Sequence, residues 1–238
     1  SMPPTRFHQY IMRFGFGRRP NSGIAAEATG RVISPKKWQT IDHANISFGQ
    51  AILVSPLQMV SAANVFANEG EWVPPFIVEY AVDKNGNKLQ EIKDVGGKVS
   101  HKFGLGVRSP VVEGSVAELV KKYLISVTQK GGTAQKAAIL GYQVAGKTGT
   151  SQIYDQQLGR YSQTRYIASF VGFAPASDPL VTVLVVVEQP RTSIYGGTIA
   201  APIFKEIVQR TLLFKDVLPF PEENSEGTTA LLETTVIQ

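Results

Sequence analysis

The segment from residue 142 to residue 188 constrains the fold most strongly, because it contains three strand candidates in succession. The short connection Pro175-Ala176-Ser177-Asp178-Pro179 between the second and third candidates requires them to be antiparallel neighbours. The candidates run from Tyr142 to Ser151, from Tyr166 to Ala174 and from Leu180 to Glu188. An antiparallel sheet is therefore predicted in this half of the chain.

Helical patterns flank these strands. Ser55-Pro56-Leu57-Gln58 has the serine, proline and glutamine of a capping box, which predicts a helix to about Asn68. A second box, Ser115-x-x-Glu118, predicts another helix, and a final helix is expected from about Ile199 to Leu213. The apolar residues that recur at helical spacing in the second helix are Val116, Leu119, Val120, Tyr123, Leu124 and Val127. Between the first two helices, Asp83-Lys84-Asn85-Gly86-Asn87 predicts a hairpin turn.

Composition excludes several classes of protein. Of the 238 residues, 43% are apolar and 18% are charged, which is typical of a globular domain, and no apolar run is long enough to span a bilayer. The chain has no cysteine and only three histidines, so neither a metal site nor any other cofactor is expected. The net charge of +5 is dispersed and lacks interleaved aromatic residues, so nucleic acid is not an expected partner.

The stretch GYQVAGKTGTS, residues 141–151, fits two patterns that require opposite local structures. Gly141, Gly146, Lys147 and Thr148 fit the phosphate-binding loop G-x-x-x-x-G-K-[ST], which needs a preceding strand and a helix that begins at the lysine. Neither flank has the corresponding apolar pattern. Lys147-Thr148-Gly149 also fits the K-T-G signature of serine acyltransferases that react with penicillins. A nucleotide-binding protein stays open as the less favoured alternative.

K-T-G on a strand suits an extended substrate that ends in a carboxylate. Lys147 and Gly149 would face one side and Thr148 and Thr150 the other, because side chains alternate. Gly149 leaves room for a ligand along the backbone, while the lysine and the threonine hydroxyls can bind a carboxylate. A free backbone N–H can form half of an oxyanion hole. The alternative interpretation is an exposed strand end with a solvated lysine.

Longer stretches carry a family resemblance. They are RFGFG (13–17), ISFGQAILVSPLQMVSAANVFANEG (46–70), VAGKTGTSQ (144–152), SFVGFAPASDPLVTVLVVVEQP (169–190) and GGTIAAPIF (196–204). With them the chain resembles the C-terminal part of the transpeptidase domain of class B penicillin-binding proteins, with Ala51 in place of a usual glycine. The resemblance implies an α+β fold, an antiparallel sheet flanked by helices, present as an incomplete portion over residues 1–218. An acidic tail, residues 219–238, would follow and pack loosely.

The resemblance also implies a chemistry. In this family a serine in an S-x-x-K motif attacks a stem peptide that ends in D-Ala-D-Ala, and β-lactam antibiotics acylate the same serine. Lys147, Thr148 and Gly149 would form the substrate-binding wall. Thr150 would add its hydroxyl and a catalytic backbone N–H for the oxyanion hole. Residues 151–166 would form a loop at the rim of the cleft, where Tyr154 or Tyr161 is a candidate contact for the stem peptide.

Two motifs of the family have no convincing match. S-x-N does not occur, and S-x-x-K occurs only as Ser34-Pro35-Lys36-Lys37, which we interpret as coincidental because no apolar helical pattern follows. Asp42-His43 suggests a Ser-His-Asp triad only in letters. We therefore expect the chain to begin after both motifs and after a membrane anchor, and to be inactive alone.

The expected parent protein is a D,D-transpeptidase that cross-links peptidoglycan during division. It would be held at the bacterial cytoplasmic membrane with this domain on the periplasmic or extracellular side, where other division or cell-wall proteins would be partners. A fragment that only complements the missing half, or docks to other proteins, is the alternative.

Overall fold

The structure is a computed structural model that describes residues 2–219, except residues 24, 25, 94, 98, 103 and 105. The α-helices are α1 (Pro4–Arg13), α2 (Thr40–Ser47), α3 (Pro56–Ala67), α4 (Gly114–Ser126) and α5 (Gly196–Phe214), with one-turn 3₁₀ helices at Pro35–Lys37 and Gln135–Ala137. The strands are β1 (Glu71–Trp72), β2 (Ala81–Val82), β3 (Lys88–Leu89), β4 (Glu91–Lys93), β5 (Val99–Lys102), β6 (Ser109–Pro110), β7 (Ala145–Asp155), β8 (Arg160–Ala174) and β9 (Val181–Glu188). No helix in the described part of the chain is long and apolar enough to cross a membrane. The predicted acidic tail lies outside the described residues, apart from Pro219.

The main sheet has the strand order β7-β8-β9 and is antiparallel throughout. This arrangement confirms the three predicted strands and the antiparallel turn over residues 175–179. The first strand begins at Ala145 rather than Tyr142, which makes only an isolated bridge with Ile139. Together with the flanking helices, the sheet confirms the expected α+β class.

Helix α5 covers one face of the main sheet. The rings of Phe170 on β8 and Phe204 on α5 meet edge to face, with centroids 4.8 Å apart, and both side chains are fully buried. Val144, Val185 and Val208 belong to the same core cluster. Burial of these apolar side chains is the main favourable contribution to folding here. The core therefore lies directly behind the strand that carries K-T-G.

Helices α3 and α4 pack against the opposite face, at the end where β7 begins. The buried side chains of Ala145, Phe173 and Ala176 form this second cluster, and Phe66 and Leu124 pack against them. The hydroxyl of Thr182 on β9 also hydrogen-bonds the side-chain oxygen of Asn64 on α3, at 2.5 Å. The sheet is thus held between helices at this end.

The predicted capping box of α3 is confirmed. The hydroxyl of Ser55 accepts a hydrogen bond from the Gln58 backbone N–H at 3.2 Å, and the Gln58 side-chain oxygen accepts one from the Ser55 N–H at 2.8 Å. The buried Gln58 side chain also donates to the carbonyl oxygens of Arg18 and Thr29, at 2.8 and 2.9 Å. One residue therefore both begins the helix and ties two points of the preceding loop to it.

Helix α4 differs from its prediction in two ways. Its N-cap is Glu113, so Ser115 lies inside the helix and the predicted box does not form. The helix is also rotated relative to the predicted face, because Val116, Leu119 and Tyr123 are exposed. Its fully buried positions are Ala117 and Lys121. The buried side of α4 therefore centres on Ala117 and Lys121, while Leu124 and Val127 of the predicted face still pack against buried clusters.

Three short antiparallel pairs lie between α3 and α4 along the chain: β1 with β6, β2 with β3, and β4 with β5. The turn between β2 and β3 is the predicted 83–87 turn, in which the Asp83 carboxylate accepts hydrogen bonds from the backbone N–H groups of Asn85 and Asn87. The turn prediction is therefore confirmed.

Candidate functional site

K-T-G lies on β7, one of the two edge strands of the main sheet among the described residues. Among the described residues, β7 pairs with β8 alone, so its other edge is open. Lys147 and Thr150 are exposed, and Thr148 and Gly149 between them are half-buried. An open strand edge with accessible side chains can receive an extended peptide.

The side chains on β7 alternate as the strand prediction requires. On one face, the methyl carbon of Thr148 lies next to Gly197, the second residue of α5. On the other face, Gly149 is opposite Ser169 of β8, whose hydroxyl occupies the space that a Gly149 side chain would need. Lys147 shares that second face, because residues two apart on a strand point the same way.

The open edge also presents backbone groups. The ammonium group of Lys147 donates a hydrogen bond to the carbonyl oxygen of Thr148, at 3.0 Å. In an antiparallel pair every second residue turns its N–H and C=O away from the partner strand. The Thr148 carbonyl, which the lysine reaches, points to the open edge of β7. The N–H and C=O of Thr150, two residues later, therefore point to the same edge.

The phosphate-loop interpretation fails on local structure. That motif requires a helix to begin at Lys147-Thr148 and to direct its free N–H groups at the phosphates. Both residues instead lie inside an eleven-residue strand. The helix whose amino-terminal residues pack against this strand, α5, begins 49 residues later in the chain, at Gly196, and does not continue from the motif.

Residues 151–166 form a hairpin and not the predicted loop. β7 continues to Asp155 and β8 begins at Arg160, with Tyr154 paired to Tyr161. Four residues of β8, 162–165, bulge between this pair and the Gln152–Tyr166 pair. The bulge is closed by the Ser162 hydroxyl, which accepts from the Arg165 N–H at 3.0 Å. The pairing of Tyr154 with Tyr161 and a turn at 156–159 make this segment an ordered hairpin rather than an irregular loop.

The two candidate tyrosines lie together on this hairpin. Their rings meet edge to face with centroids 5.4 Å apart, and 51% of Tyr154 and 41% of Tyr161 is exposed. Behind them, the guanidinium of Arg165 pairs with the Asp155 carboxylate at 2.5 Å. The pair is about 13 Å beyond Thr150 along β7, from a strand rise of about 3.3 Å per residue.

Ser34 has the surroundings of a surface residue. It is the exposed N-cap of the one-turn helix Pro35–Lys37 and makes no capping hydrogen bond with its side chain. A helix does follow, α2 from Thr40, although residues 38–42 lack an apolar helical pattern. The carboxylate of Asp42 starts α2 by accepting from the Gln39 N–H at 2.8 Å, an interaction that an apolar pattern does not reveal.

His43 packs against aromatic rings. Its ring centroid lies 5.3 Å from that of Phe7 and 5.9 Å from that of Trp38. The Asp42 carboxylate caps the start of α2 and the His43 ring packs on aromatic side chains. Each residue therefore has a structural role of its own, and they are not part of a triad. Within residues 2–219 as described, no three His, Cys, Asp or Glu side chains group as a metal site would require.

Comparison with known proteins decides the family. Residues 1–209 match the family described as the penicillin-binding protein transpeptidase domain. The chain belongs to this family. It is 32% identical to the probable peptidoglycan D,D-transpeptidase PenA of Neisseria flavescens, over 91% of this chain and 48% of that protein. It is 33% identical to the stage V sporulation protein D of Bacillus subtilis, over 87% of this chain and 30% of that protein. The predicted family is therefore confirmed, and the chain spans less than half the length of these relatives.

Solved structures of family members have the same fold. Penicillin-binding protein 3 of Mycobacterium tuberculosis complexed with ampicillin matches with a TM-score of 0.81 and 29% identity, over 98% of this chain and 50% of that one. The transpeptidase domain of Burkholderia pseudomallei penicillin-binding protein 3 matches with a TM-score of 0.73 and 32% identity, over 92% of this chain and 60% of that one. The chain thus corresponds to part of each matched structure.

Three residues around K-T-G were not assigned a role from sequence. Thr133, Gly196 and Gly197 pack directly behind the strand, although GGTIAAPIF had been recognised as part of the resemblance. The sequence signal was the pair Gly196-Gly197 at the start of a predicted helix. Such a pair indicates that another backbone segment approaches closely, but it does not identify that segment.

Proposed function

We propose that this chain supplies the carboxylate-binding wall and part of the oxyanion hole of a peptidoglycan D,D-transpeptidase. The acylating serine would lie outside this sequence. The observation that carries the proposal is the position of Lys147-Thr148-Gly149-Thr150 on the open edge of β7, in a chain that belongs to the transpeptidase family.

The chemistry follows from the residues at that edge. The terminal carboxylate of a D-Ala-D-Ala stem peptide would accept hydrogen bonds from the Lys147 ammonium and the Thr148 hydroxyl. Gly149 would contribute only its backbone beside the peptide, because the Ser169 hydroxyl fills the space that a side chain would need. The Thr150 N–H, on the open edge, would donate to the carbonyl oxygen as negative charge develops on it during acylation. The Thr150 hydroxyl would add a donor beside it.

The same wall would bind β-lactam antibiotics, which carry an anionic group, a carboxylate or a sulfonate, beside a reactive carbonyl. Related structures support this ligand class, since the Mycobacterium tuberculosis protein is described in complex with ampicillin and with aztreonam. The relatives named as peptidoglycan D,D-transpeptidases support the stem peptide as natural substrate.

The setting of the reaction is also proposed by relationship. Relatives include the peptidoglycan D,D-transpeptidase FtsI of Buchnera aphidicola, which is 31% identical over 92% of this chain. We place the wall on the outer side of the bacterial cytoplasmic membrane, where peptidoglycan is cross-linked. Division proteins and cell-wall enzymes would be its neighbours there.

A fluorescent penicillin tests the proposal. The longest natural polypeptide that contains this sequence should be labelled covalently, and residues 1–238 alone should stay unlabelled. Lys147→Ala in the longer polypeptide should slow acylation about 10- to 150-fold, the range for a hydrogen bond to a charged group. Lys122→Ala, an exposed lysine on α4, is the matched control and should leave the rate unchanged.

Two results would contradict the proposal. One is labelling of residues 1–238 at Ser34, which would place the nucleophile inside this sequence. The other is equal acylation of the Lys147→Ala and Lys122→Ala variants, which would remove the carboxylate-binding role of the wall.

A further inference from the structure

Thr133 lies immediately behind the threonine of K-T-G. The hydroxyl oxygens of Thr133 and Thr148 are 3.3 Å apart, within hydrogen-bonding distance, and either can donate. Thr133 is on the loop that leads from α4 to β7, fifteen residues before Thr148. Its side chain is exposed, so the contact lies at the protein surface beside K-T-G and not in the core.

Once a carboxylate is bound, the number of hydroxyl hydrogens decides which of the two threonines donates in this contact. A hydroxyl group has one hydrogen to donate and two lone pairs that accept. If Thr148 donates its hydrogen to a carboxylate, it can interact with Thr133 only by accepting the Thr133 hydrogen. The two hydroxyls then form a chain that ends on the ligand, and each bond in such a chain polarises the next.

The backbone around Thr133 is fixed by close packing. Its carbonyl oxygen lies against Gly197 of α5, where any side chain on residue 197 would collide with it. Gly132, just before it, lies so close to the carbonyl group of Val127 that a side chain has no space there either. Ala134, just after it, is buried and donates its N–H to the Val127 carbonyl at 2.9 Å.

The same helix start holds the K-T-G strand. Gly196 packs against the carbonyl oxygens of Gly149 and Ser169, and a Cβ on Gly196 would come within 2.8 Å of the Gly149 oxygen. The first two residues of α5 therefore contact both the Thr133 loop and β7. A site supported in this way holds its donor groups in place before the ligand arrives.

We propose that Thr133 is a positioning residue of the carboxylate site, whose hydroxyl donates to Thr148 and so directs the Thr148 hydrogen at the terminal carboxylate of the substrate. This inference rests on the proposed function, and it adds a residue outside K-T-G to the machinery that recognises the substrate.

Acylation by penicillin in the longest natural polypeptide that contains this sequence tests it. Thr133→Val keeps the shape and removes the hydroxyl, so acylation should slow about threefold to tenfold, the range for one neutral hydrogen bond. Thr133→Ser should restore most of the rate, because it restores the hydroxyl. Thr192→Val, at an exposed threonine, is the matched control for the chemical change and should act like the wild type.

Two further measurements separate positioning from a merely structural role. In a Thr148→Val background, Thr133→Val should slow acylation by less than about twofold, because the chain of hydrogen bonds is already broken. With a penicillin methyl ester, which lacks the carboxylate, Thr133→Val should no longer matter. A general loss of structure would slow both ligands alike.

The inference is overturned if Thr133→Val acylates at the wild-type rate, if Thr133→Ser is as slow as Thr133→Val, or if the two substitutions act independently. Any of these results, with the wild type labelled and Lys147→Ala slow, would leave the proposed function standing. Failure of the Lys147 test would instead count against the proposed function itself.

Discussion

Gly146 lies against the ring of Phe170, with no space between them for a side-chain carbon. A Cβ on Gly146 would also come within 2.8 Å of the carbonyl oxygen of Val171. Phe170 in turn packs on Phe204 of α5. The residue just before the K-T-G lysine thus sets how closely β7 approaches the core, and the position of the lysine depends on that approach.

Gly146→Ala should therefore destabilise the fold. The added methyl group must displace the Phe170 ring, and overpacking of this kind costs about 1–3 kcal/mol of unfolding free energy. Urea unfolding measures the change. Gly114→Ala is the control, because a Cβ there would meet only an ordinary contact, 3.5 Å from the Glu69 oxygen. Equal stability of the two variants would contradict the packing argument.

Gln58→Met should cost about 1.5–4.5 kcal/mol, because it keeps the length of the side chain and removes three hydrogen bonds. The carbonyl oxygens of Arg18 and Thr29 and the N–H of Ser55 would lose their partner, and each lost hydrogen bond contributes about 0.5–1.5 kcal/mol. Thermal unfolding provides the measurement. Gln156→Met, at an exposed turn residue, is the control and should stay within about 0.5 kcal/mol of the wild type.

The ion pair between Lys121 and Glu118 gives opposite expectations for its two partners. The ammonium group lies 2.5 Å from the carboxylate, with 9% of the Lys121 side chain and 52% of the Glu118 side chain exposed. Glu118→Ala should lower the free energy of unfolding by about 1–2 kcal/mol, since it leaves the buried Lys121 charge without its partner. The expected loss is smaller than for a fully buried ion pair, because water reaches Glu118.

Lys121→Met should be neutral or stabilising, because the apolar side chain fills the same space without a charge to desolvate. Chemical denaturation of both variants tests the pair. A loss in Lys121→Met larger than that in Glu118→Ala would show that the pair contributes more than the desolvation of the lysine costs.

Glu27 should make the fold sensitive to acid. Partial burial works to raise the pKa of this carboxyl, but hydrogen bonds from the Ser22 hydroxyl and from the N–H groups of Ser22 and Asn21, with the charge of Arg19, outweigh it. The pKa therefore lies below the ordinary value of 4.5. A carboxyl whose pKa is lower in the folded than in the unfolded state stabilises the fold at pH values above its ordinary pKa. This contribution is lost as the pH falls through the lowered pKa.

Unfolding measured from pH 6 down to pH 2 checks this expectation. Glu27→Gln should show a shallower loss of stability below about pH 4.5 than the wild type, since its amide does not titrate in this range. Ser22→Ala, which removes the hydroxyl donor, should lie between the two. Identical acid profiles for all three proteins would exclude Glu27 as a source of the dependence.

Tyr154→Ala should affect a long substrate more than a short one. The tyrosine pair is about 13 Å beyond Thr150, a distance that a stem peptide along β7 can span and a penicillin cannot. We expect slower acylation by a pentapeptide, by about threefold to tenfold, and unchanged acylation by penicillin. Leu158→Ala, an exposed residue of the same turn region, is the control. Equal pentapeptide acylation rates for Tyr154→Ala and the wild type would contradict a role of the tyrosines in substrate binding.

Local signals in the sequence predicted local structure well. The capping box at Ser55 and the turn at 83–87 are formed by residues two to four apart, and both are confirmed. The two further hydrogen bonds of Gln58 join residues 29 and 40 positions apart, and nothing in a local pattern specifies such partners. The family itself could be recognised because its motifs extend along most of the chain.

The predictions that were wrong concern competition between local and long-range contacts. Apolar spacing placed Val116, Leu119 and Tyr123 inward on α4, but these side chains are exposed and the buried positions are Ala117 and Lys121. The family resemblance implied a loop at 151–166, but cross-strand pairing makes this segment a hairpin. Thr133 was missed because its importance depends on a residue fifteen positions away.

Strand β9 has a consequence for handling the protein. From Val181 to Val187 it has seven residues that are mostly β-branched, with no charge and no proline, and among the described residues it pairs with β8 alone. Such a segment with an open edge is the kind that nucleates cross-β assembly between chains. The time before this polypeptide aggregates in solution would then depend on its concentration as much as on its folding free energy. A charge introduced at the exposed Val186 would lengthen that time.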